Sequence, residues 1–278
     1  MIVTKSPSEI QKMRSANSLV AEVLTELRSV VQPGVTTLDL DTLAEDRVRA
    51  AGAVPAFKGY HGFPSTLCTS INDEVVHGIP SGRALQSGDV VSIDLGVVID
   101  GFYGDSAVTV PVGSISAEAE GLLEVTQEAL NRSISKAQPG GYVSDLGHAV
   151  QKYVEAHGYS VVREFVGHGI GTNLHEDPQV PNYGVPGQGA RLTDGMVLAI
   201  EPMVNVGGAA VKVLDDGWTA VTKDGSLSAH FEHTVAITSD GPLVLSQPFK
   251  FEVLKSSSTT ENMNRLVSVD GGSGYREQ

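Results

Sequence analysis

The hydrophobic positions of the chain first recur at helical spacing near its start. Apolar residues appear every three or four positions across residues 10–27, after a capping sequence in which Ser6 and Glu9 can each bond the other's backbone. A Pro-Gly pair ends this segment, because neither residue favours a continued helix. A second amphipathic helix is predicted from Thr37 to a terminating glycine, Gly52. The chain is therefore expected to begin with a pair of helices.

The same arrangement returns later in the chain. A helix beginning near Ser116 is followed by a Gln-Pro-Gly break and by another helix, which we expect Ser144 to cap. Four positions of the first pair recur in the second at one constant offset. They are Gln32, Leu40, Val48 and Gly52, which correspond to Gln138, Leu146, Val154 and Gly158. An offset that holds from one helix to the next indicates an internal repeat.

Each predicted helix pair is associated with a strand that ends in a carboxylate. Residues 88–94 and 195–201 both consist of a glycine, an apolar β-rich run and a terminal acid, Asp94 or Glu201. Side chains on a strand alternate between its faces, so two halves packed symmetrically would aim both acids at the same central space. An Asp-Gly turn after the first strand predicts a hairpin that places Asp105 on the neighbouring antiparallel strand.

These patterns predict an α+β fold with pseudo-two-fold symmetry, in which an antiparallel sheet is flanked by two helix pairs. We expect one catalytic domain over residues 1–250, with halves at about 1–112 and 113–250. Residues 251–278 are polar and rich in Ser, Thr and Gly, and they are predicted to form a flexible tail without a role in the chemistry.

Composition narrows the cellular setting. The net charge of -14 argues against a phosphate backbone as the main partner, so no direct nucleic acid specificity is expected. A single cysteine, Cys68, excludes an intrachain disulfide and fits a reducing compartment. The chain has no apolar run of the length that a signal peptide or a membrane span requires. A cytoplasmic protein without a membrane partner is therefore predicted.

Acidic residues inside apolar β-runs need a partner, because burial of an unpaired charge is energetically costly. Asp94, Glu201 and Glu232 stand in such runs, and Asp105 joins them through the predicted hairpin. Strand-end acids or salt bridges would explain any one of the four, but the set has too few basic neighbours. A pair of divalent cations would neutralise it. His168, flanked by glycines, adds an imidazole, and this mostly oxygen ligand set suits Mn, Fe, Co or Zn.

Short segments around these acids and histidines carry a family resemblance. They are 70–72 (Ser-Ile-Asn), 77–80 (His-Gly-Ile-Pro), 167–171 (Gly-His-Gly-Ile-Gly), 200–203 (Ile-Glu-Pro-Met) and 232–234 (Glu-His-Thr). In these segments the chain resembles the type I methionine aminopeptidases of metallopeptidase family M24, which have the pita-bread fold. The resemblance runs from the first helix to about residue 245. The pseudo-symmetry of that fold agrees with the internal repeat.

The resemblance implies a role for each candidate metal ligand. Asp105 and Glu232 would bridge two divalent ions. Asp94 would complete one metal site, and His168 and Glu201 would complete the other. Glu201 would also move the proton of the attacking water.

Two further histidines are expected to act on the substrate. The resemblance implies that His77 contacts it near the scissile nitrogen and that His175 hydrogen-bonds the scissile carbonyl, although either could be an ordinary turn or loop histidine. The methionine side chain would enter a pocket formed by Tyr60, Phe63, Cys68 and Trp218. The other histidines, which we interpret as structural or as supports for the metal ligands, are His61, His148, His157, His230 and His233.

Three positions depart from the family pattern. Phe63 stands where the family often has Tyr, Leu174 where it has Phe, and Gly96 where it has Thr. These differences leave the shape of the pocket open, but they do not affect the metal ligands. A monovalent cation could also be held by oxygens from Asn72, Glu74 and Ser228.

The activity that the resemblance implies is removal of the N-terminal methionine from nascent proteins and peptides, with a preference for a small second residue. A monomer is expected, and association with the ribosome stays open. An Xaa-Pro aminopeptidase or dipeptidase would use the same five ligands, but such enzymes usually carry an extra N-terminal domain. A non-catalytic protein of this fold is a second alternative. Metal-dependent phosphoester hydrolysis is disfavoured, because no glycine-rich loop precedes a helix to bind the phosphate.

Overall fold

The computed structural model describes residues 1–247, and the predicted tail at 251–278 lies outside them. Four α-helices lie in the described part of the chain: α1 Pro7–Val30, α2 Thr37–Ala50, α3 Ala117–Lys136 and α4 Val143–Ala156. The strands of the first part of the chain are β1 Val54–Pro55, β2 Leu67–Ile71, β3 Glu74–Val76, β4 Val90–Ile99 and β5 Phe102–Pro111. The later strands are β6 Ser160–Val161, β7 Gly167–Gly169, β8 Glu176–Val180, β9 Val197–Ile200, β10 Met203–Asn205, β11 Val211–Val213, β12 Ala220–Thr222, β13 Ser228–His230, β14 His233–Thr238 and β15 Gly241–Val244. None of the described helices is long and apolar enough to cross a membrane.

The helix starts agree with the sequence patterns except at α4. Ser6 and Glu9 form the predicted capping box of α1. The prediction that Ser144 caps α4 is wrong, because the cap residue is Tyr142, whose backbone N–H donates to Asp145 Oδ2 at 2.9 Å. Ser144 Oγ instead accepts the backbone N–H of Gln188, at 2.7 Å. The acid at the third helical position therefore does the capping without a hydroxyl partner.

The internal repeat is visible in the two helix pairs. Val48 of α2 and its counterpart Val154 of α4 are both fully buried. Gly52 and Gly158, which follow these helices, both have positive φ, at 74° and 82°. One core cluster draws its buried side chains from residues 16–112, and another draws them from residues 122–237. The exact division of the chain near residue 112 stays a prediction.

Two antiparallel sheets carry the candidate acids. In the first, β4 pairs with β5 along its whole length and also with β1 and β2. In the second, the strand order is β15-β14-β9-β7-β8. The β4–β5 ladder places Asp105 opposite Gly96, and Asp94 opposite Ala107. The two acids therefore lie on adjacent antiparallel strands, two positions apart in register, as the hairpin signal predicts.

Hydrogen bonds between β5 and residues 232–234 join the two sheets. The Ser106 hydroxyl donates to the backbone carbonyl of Glu232 at 2.6 Å. The backbone N–H of Glu232 donates to the backbone carbonyl of Ala107 at 2.9 Å. The Thr234 hydroxyl donates to the backbone carbonyl of Asp105 at 2.7 Å. We call these contacts the seam. The seam fixes the backbones of two candidate ligands, Asp105 and Glu232, against each other.

Candidate metal centre and active site

A cavity of about 340 Å³ lies between the two sheets. All five candidate metal ligands line it: Asp94, Asp105, His168, Glu201 and Glu232. So do the six residues assigned to substrate contact: Tyr60, Phe63, Cys68, His77, His175 and Trp218. Residues that are distant in sequence thus share one space. Both acids predicted at strand ends face it, but the predicted end of the first strand is wrong, because β4 continues past Asp94 to Ile99.

Three of the candidate ligands form a group that could hold one metal ion. Ligand atoms of Asp105, His168 and Glu232 all lie within 4.8 Å of one another, and the three residues are buried. The His168 Nε2 atom lies 3.9 Å from Asp105 Oδ2 and 3.5 Å from Glu201 Oε1. Carboxylates from both sheets therefore surround one imidazole nitrogen.

The glycines around His168 determine its orientation. A Cβ atom at Gly167 would lie 2.3 Å from the Ala199 carbonyl oxygen, and one at Gly169 would lie 2.2 Å from that of Asp177. Only glycine permits strands to pack so closely. The Nδ1 atom of His168 lies 2.9 Å from the Gly169 carbonyl oxygen, so Nδ1–H can donate to it. A hydrogen bond of this kind orients the ring so that Nε2 faces the acids, as a metal-binding histidine requires.

The acids of the cavity are held in an environment that disfavours negative charge. Burial, together with the neighbouring carboxylates, raises the pKa of Asp105 and of Glu232 well above the usual range. Burial raises the pKa of Asp94 to about 7. Each of the three has a buried carboxylate oxygen without a hydrogen-bond partner in the described part of the chain: Asp94 Oδ1, Asp105 Oδ1 and Glu232 Oε1. Unpaired acceptors beside an imidazole nitrogen fit divalent metal ions.

Glu201 has contacts on each side of its carboxylate. Its Oε1 atom faces His168, and its Oε2 atom lies 3.5 Å from the Nε2 of His230, a buried residue. The Asn182 side-chain amide donates to the Glu201 backbone carbonyl at 2.9 Å. The Thr109 hydroxyl accepts the backbone N–H of His230 at 2.9 Å. His230 therefore supports a candidate ligand, in agreement with its interpretation from sequence.

The two histidines predicted to contact the substrate, His77 and His175, both line the cavity. His77, at a positive φ of 61°, stacks edge-on against Phe165, and its burial lowers its pKa. His175 lies at the exposed mouth, 4.3 Å from His168 between ring centroids. Partial desolvation and the neighbouring His168 lower the pKa of His175. Both rings are therefore neutral at physiological pH.

The hydroxyl of Tyr60 is within hydrogen-bonding distance of His175. The Tyr60 oxygen lies 2.7 Å from His175 Nδ1. A Tyr60 donor to Nδ1 would keep the proton of the neutral ring on Nε2. His175 could then donate a hydrogen bond to a bound ligand.

Apolar side chains form the rest of the cavity wall. The rings of Phe63 and Trp218 are edge-on at 5.1 Å, and Leu174 and Cys68 are buried beside them. Burial raises the pKa of the Cys68 thiol well above its usual range. Cys68 therefore stays a neutral thiol and contributes to an apolar surface rather than acting as a nucleophile.

Some residues that line the cavity were not found from sequence. They include Phe57, Phe165 and Met203. Met203 follows Glu201 by two positions, so strand alternation could have placed it on the same face. Phe57 had no such signal. A Cβ atom at Gly96 would lie 2.6 Å from its Cε1 atom, so the Phe57 ring fills the space beside this departure from the family pattern.

The residues proposed for a monovalent cation are partly engaged with other groups. Asn72 accepts the backbone N–H of Ser228 on its carbonyl oxygen, at 2.8 Å. The Ser228 hydroxyl donates to Asn205, and the Glu74 carboxylate pairs with Arg83 at 2.9 Å. Asn72 and Ser228 are thus neighbours, while the side-chain oxygens of Ser228 and Glu74 already have partners.

Comparison with known proteins identifies the relatives of this chain. The model of metallopeptidase family M24 matches residues 11–239. The methionine aminopeptidase of Clostridium acetobutylicum is 53% identical over 247 residues, which cover 88% of this chain and 99% of that protein. Methionine aminopeptidase 1 of Bacillus subtilis is 52% identical, with 89% of this chain and 100% of that protein covered.

Solved structures agree with the sequence matches. The methionine aminopeptidase of Thermotoga maritima superimposes with a TM-score of 0.88 at 49% identity, covering 89% of this chain and 100% of that chain. The methionine aminopeptidase of Rickettsia prowazekii gives 0.87 at 42% identity, covering 88% and 100%. A prolidase from Pyrococcus furiosus gives 0.72 at 23% identity, covering 89% and 66%, and so shares the fold. These matches confirm the predicted pita-bread fold.

Proposed function

Because the chain belongs to metallopeptidase family M24, and within it to the type I methionine aminopeptidases, we propose how its cavity removes an N-terminal methionine from a polypeptide. The observation that carries the proposal is the convergence of four acids and one imidazole from both sheets on a single cavity.

The first proposed role is metal binding. Asp105 and Glu232, held together by the seam, are suited to bridge two divalent ions. Asp94 would serve one ion, and His168 and Glu201 would serve the other. When bound, such ions activate a water molecule and polarise a carbonyl group. The unpaired buried oxygens of three of these acids support the assignment, and the mostly oxygen ligand set suits Co, Mn, Fe or Zn.

The second proposed role is proton transfer by Glu201. Its two oxygens face different partners, His168 and His230, so the carboxylate is held at the edge of the ligand cluster. From there it can take a proton from the attacking water and pass it to the departing amine, which leaves as the free N-terminus of the shortened chain. General acid–base transfer of this kind contributes about 10²–10⁴-fold to a rate.

The third proposed role is stabilisation of the scissile carbonyl by His175. The ring is neutral, and the Tyr60 hydroxyl lies on its Nδ1 side. With Nδ1 occupied, Nε2–H can donate to the carbonyl oxygen as negative charge develops on it. His77, which also lines the cavity, is assigned to the scissile nitrogen.

The fourth proposed role is recognition of the methionine side chain by the apolar wall. Tyr60, Phe63, Cys68 and Trp218 offer aromatic rings and one neutral sulfur, which suit a flexible thioether. Leu174 in place of a larger ring gives this wall more space than the family pattern does. The preference for a small second residue stays a prediction, as do a monomeric state, ribosome association and a cytoplasmic location.

We also propose a monovalent cation near Asn72, Glu74 and Ser228. The Ser228 hydroxyl and the Glu74 carboxylate already have protein partners, so an ion there would rely on backbone carbonyls.

Hydrolysis of a small peptide panel by metal-reconstituted protein tests the proposal. A Met-Ala peptide should be cleaved, a Met-Leu peptide should be cleaved more slowly because its second residue is large, and Ala-Pro should not be cleaved, with bound metal counted in the same samples. Cleavage restricted to bonds before proline would instead identify an Xaa-Pro peptidase, and metal binding without cleavage would identify a binding protein.

A further inference from the structure

A buried lysine lies outside the cavity and has no place in the mechanism above. Lys5 precedes the first helix, and its ammonium group donates to Glu176 Oε2 in an ion pair. The two side chains are only 4% and 9% exposed. We propose that Lys5 is a positioning residue that places His175 through this ion pair. The inference rests on the role of His175 proposed above.

The ion pair is part of a local network. The Lys5 ammonium also donates to the Val3 carbonyl at 2.9 Å, and the second oxygen of Glu176 accepts the backbone N–H of Asn173 at 3.1 Å. Both charges therefore have further hydrogen-bond partners, as a buried pair needs to offset its desolvation. Through Asn173, Glu176 holds the loop that leads to His175.

The backbone of Lys5 is also anchored to the second sheet. Its N–H donates to the Gly195 carbonyl at 2.7 Å. Gly195 has a φ of 85°, and a Cβ atom there would lie 2.7 Å from the Lys5 carbonyl oxygen. Lys5 is thus fixed to the segment that leads into β9, the strand that ends beside Glu201. The backbone of Lys5 is therefore fixed, so its ammonium group can hold Glu176 in place.

Gly171 makes room for the ion pair. A Cβ atom at this position would lie 2.3 Å from Lys5 Cε and 2.7 Å from Glu176 Oε1. The Gly171 carbonyl accepts the backbone N–H of Tyr103 at 2.9 Å. A side chain at Gly171 would therefore collide with both members of the ion pair. Glycine at this position lets the loop between β7 and β8 pack directly against the pair.

His175 lies directly before Glu176, so this arrangement holds it at two points. Tyr60 contacts its ring, while the Lys5–Glu176 pair fixes the adjacent backbone. If the ammonium is removed, Glu176 is left as an uncompensated buried charge that will turn toward water. Its movement would displace His175, and a misplacement of about 1 Å at a reacting group can cost about 100-fold in rate.

The test is a double-mutant cycle on hydrolysis of a Met-Ala peptide. Lys5→Met keeps the length and apolar stem of the side chain but removes the charge. We expect kcat to fall about tenfold or more while KM and the number of bound metal ions are unchanged. His175→Ala should also lower kcat. In a His175→Ala background, Lys5→Met should have almost no further effect, because the two residues act as one unit.

Several outcomes separate this inference from the proposed function. If His175→Ala leaves kcat unchanged, the role of His175 fails. Two other outcomes overturn the inference on Lys5. In the first, His175→Ala lowers kcat, but Lys5→Met lowers kcat by the same factor in the wild-type protein and in the His175→Ala background. In the second, Lys5→Met alone has wild-type kcat. Lys5→Arg, which keeps the charge, should retain more activity than Lys5→Met. Should Lys5→Met fail to fold, Glu176→Gln replaces it in the same cycle, with the same expectation.

A matched control removes a cation from a surface pair. Arg47 and Glu26 form an exposed ion pair at 2.6 Å, remote from the cavity residues. Arg47→Met should leave kcat unchanged, because exposed pairs contribute little and this one supports no cavity residue.

Discussion

The two halves of the molecule supply metal ligands in different ways. The first half presents Asp94 and Asp105 from a single hairpin, β4–β5, whose ten-residue strands pair along their whole length. The second half presents His168, Glu201 and Glu232 from the region of three short strands, β7, β9 and β14. The hairpin positions its acids mainly by local pairing, whereas the second half depends on close glycine contacts and on distant residues such as Lys5. The seam joins the two halves at Asp105 and Glu232. Two halves with the same fold can therefore differ in how they hold their metal ligands in position.

In the second half, the largest loss of activity is expected from a substitution of Glu201. Glu201→Gln keeps the size of the side chain but cannot accept and release the proton. We expect kcat to fall by about 10²–10⁴-fold with the fold intact, measured by steady-state hydrolysis of a Met-Ala peptide and by circular dichroism. Unchanged kcat in a folded, metal-loaded variant would remove Glu201 from the chemistry.

The ligand cluster as a whole should make the metal-free protein sensitive to alkaline pH. The raised pKa values of Asp105 and Glu232 mean that the folded chain keeps protons there that the unfolded chain has lost above about pH 5. Above pH 7, the histidines with lowered pKa values (His77, His175 and His233) are neutral in both the folded and the unfolded state, so they do not change the free energy of unfolding with pH.

Rising pH should therefore reduce the free energy of unfolding of the metal-free protein by about 1.4 kcal/mol per pH unit for each retained proton. Urea unfolding at several pH values above 7, with chelator and with saturating metal, measures this. The metal-bound protein should show no such decline, because its acids are already deprotonated. A metal-free protein of constant stability over that range would contradict the assigned environment of the acids.

The seam should matter for stability and for the metal site together. Thr234→Val removes the hydrogen bond to the Asp105 carbonyl at a fully buried position, and we expect a loss of about 1–3 kcal/mol in the free energy of unfolding. Metal affinity should fall as well. Thr126→Val is the matched control, because the Thr126 hydroxyl is equally buried but donates to the Leu122 carbonyl within α3, at 2.7 Å, and Thr126 does not line the cavity. Metal affinity equal in both variants would indicate that the seam does not position Asp105.

The smallest expected effect concerns the departure at Gly96. Gly96→Thr should lower stability and activity, because its Cβ atom would meet the Phe57 ring at 2.6 Å. Adding Phe57→Ala should recover part of both, since it frees that space. Thermal unfolding and peptide hydrolysis of the two variants measure the coupling. If the double variant is no better than Gly96→Thr, a different neighbour limits the space at Gly96.

The sequence allowed prediction of local features better than of distant contacts. Strand alternation together with the internal repeat predicted that Asp94 and Glu201 share one space, and the Asp-Gly turn predicted that the strand of Asp105 pairs with that of Asp94. The turn and the alternation are signals within a few residues, and the repeat relates the two halves to each other.

The long-range contacts could not be predicted. The ring of Phe57 beside Gly96 and the Lys5–Glu176 pair join residues whose own segments carry no sign of the partner. Ser144 was misjudged because a hydroxyl before a helix is a common cap, whereas here Asp145 supplies the capping oxygen. The resemblance to a family supplied the roles of the histidines, which spacing could not.

Anomalous diffraction from crystals grown with manganese tests the central claim most directly. The account predicts two metal ions in the cavity, with Asp94, Asp105, His168, Glu201 and Glu232 all within coordination distance of one ion or the other. Metal bound elsewhere, or ions that leave any of these five side chains uncoordinated, would contradict it.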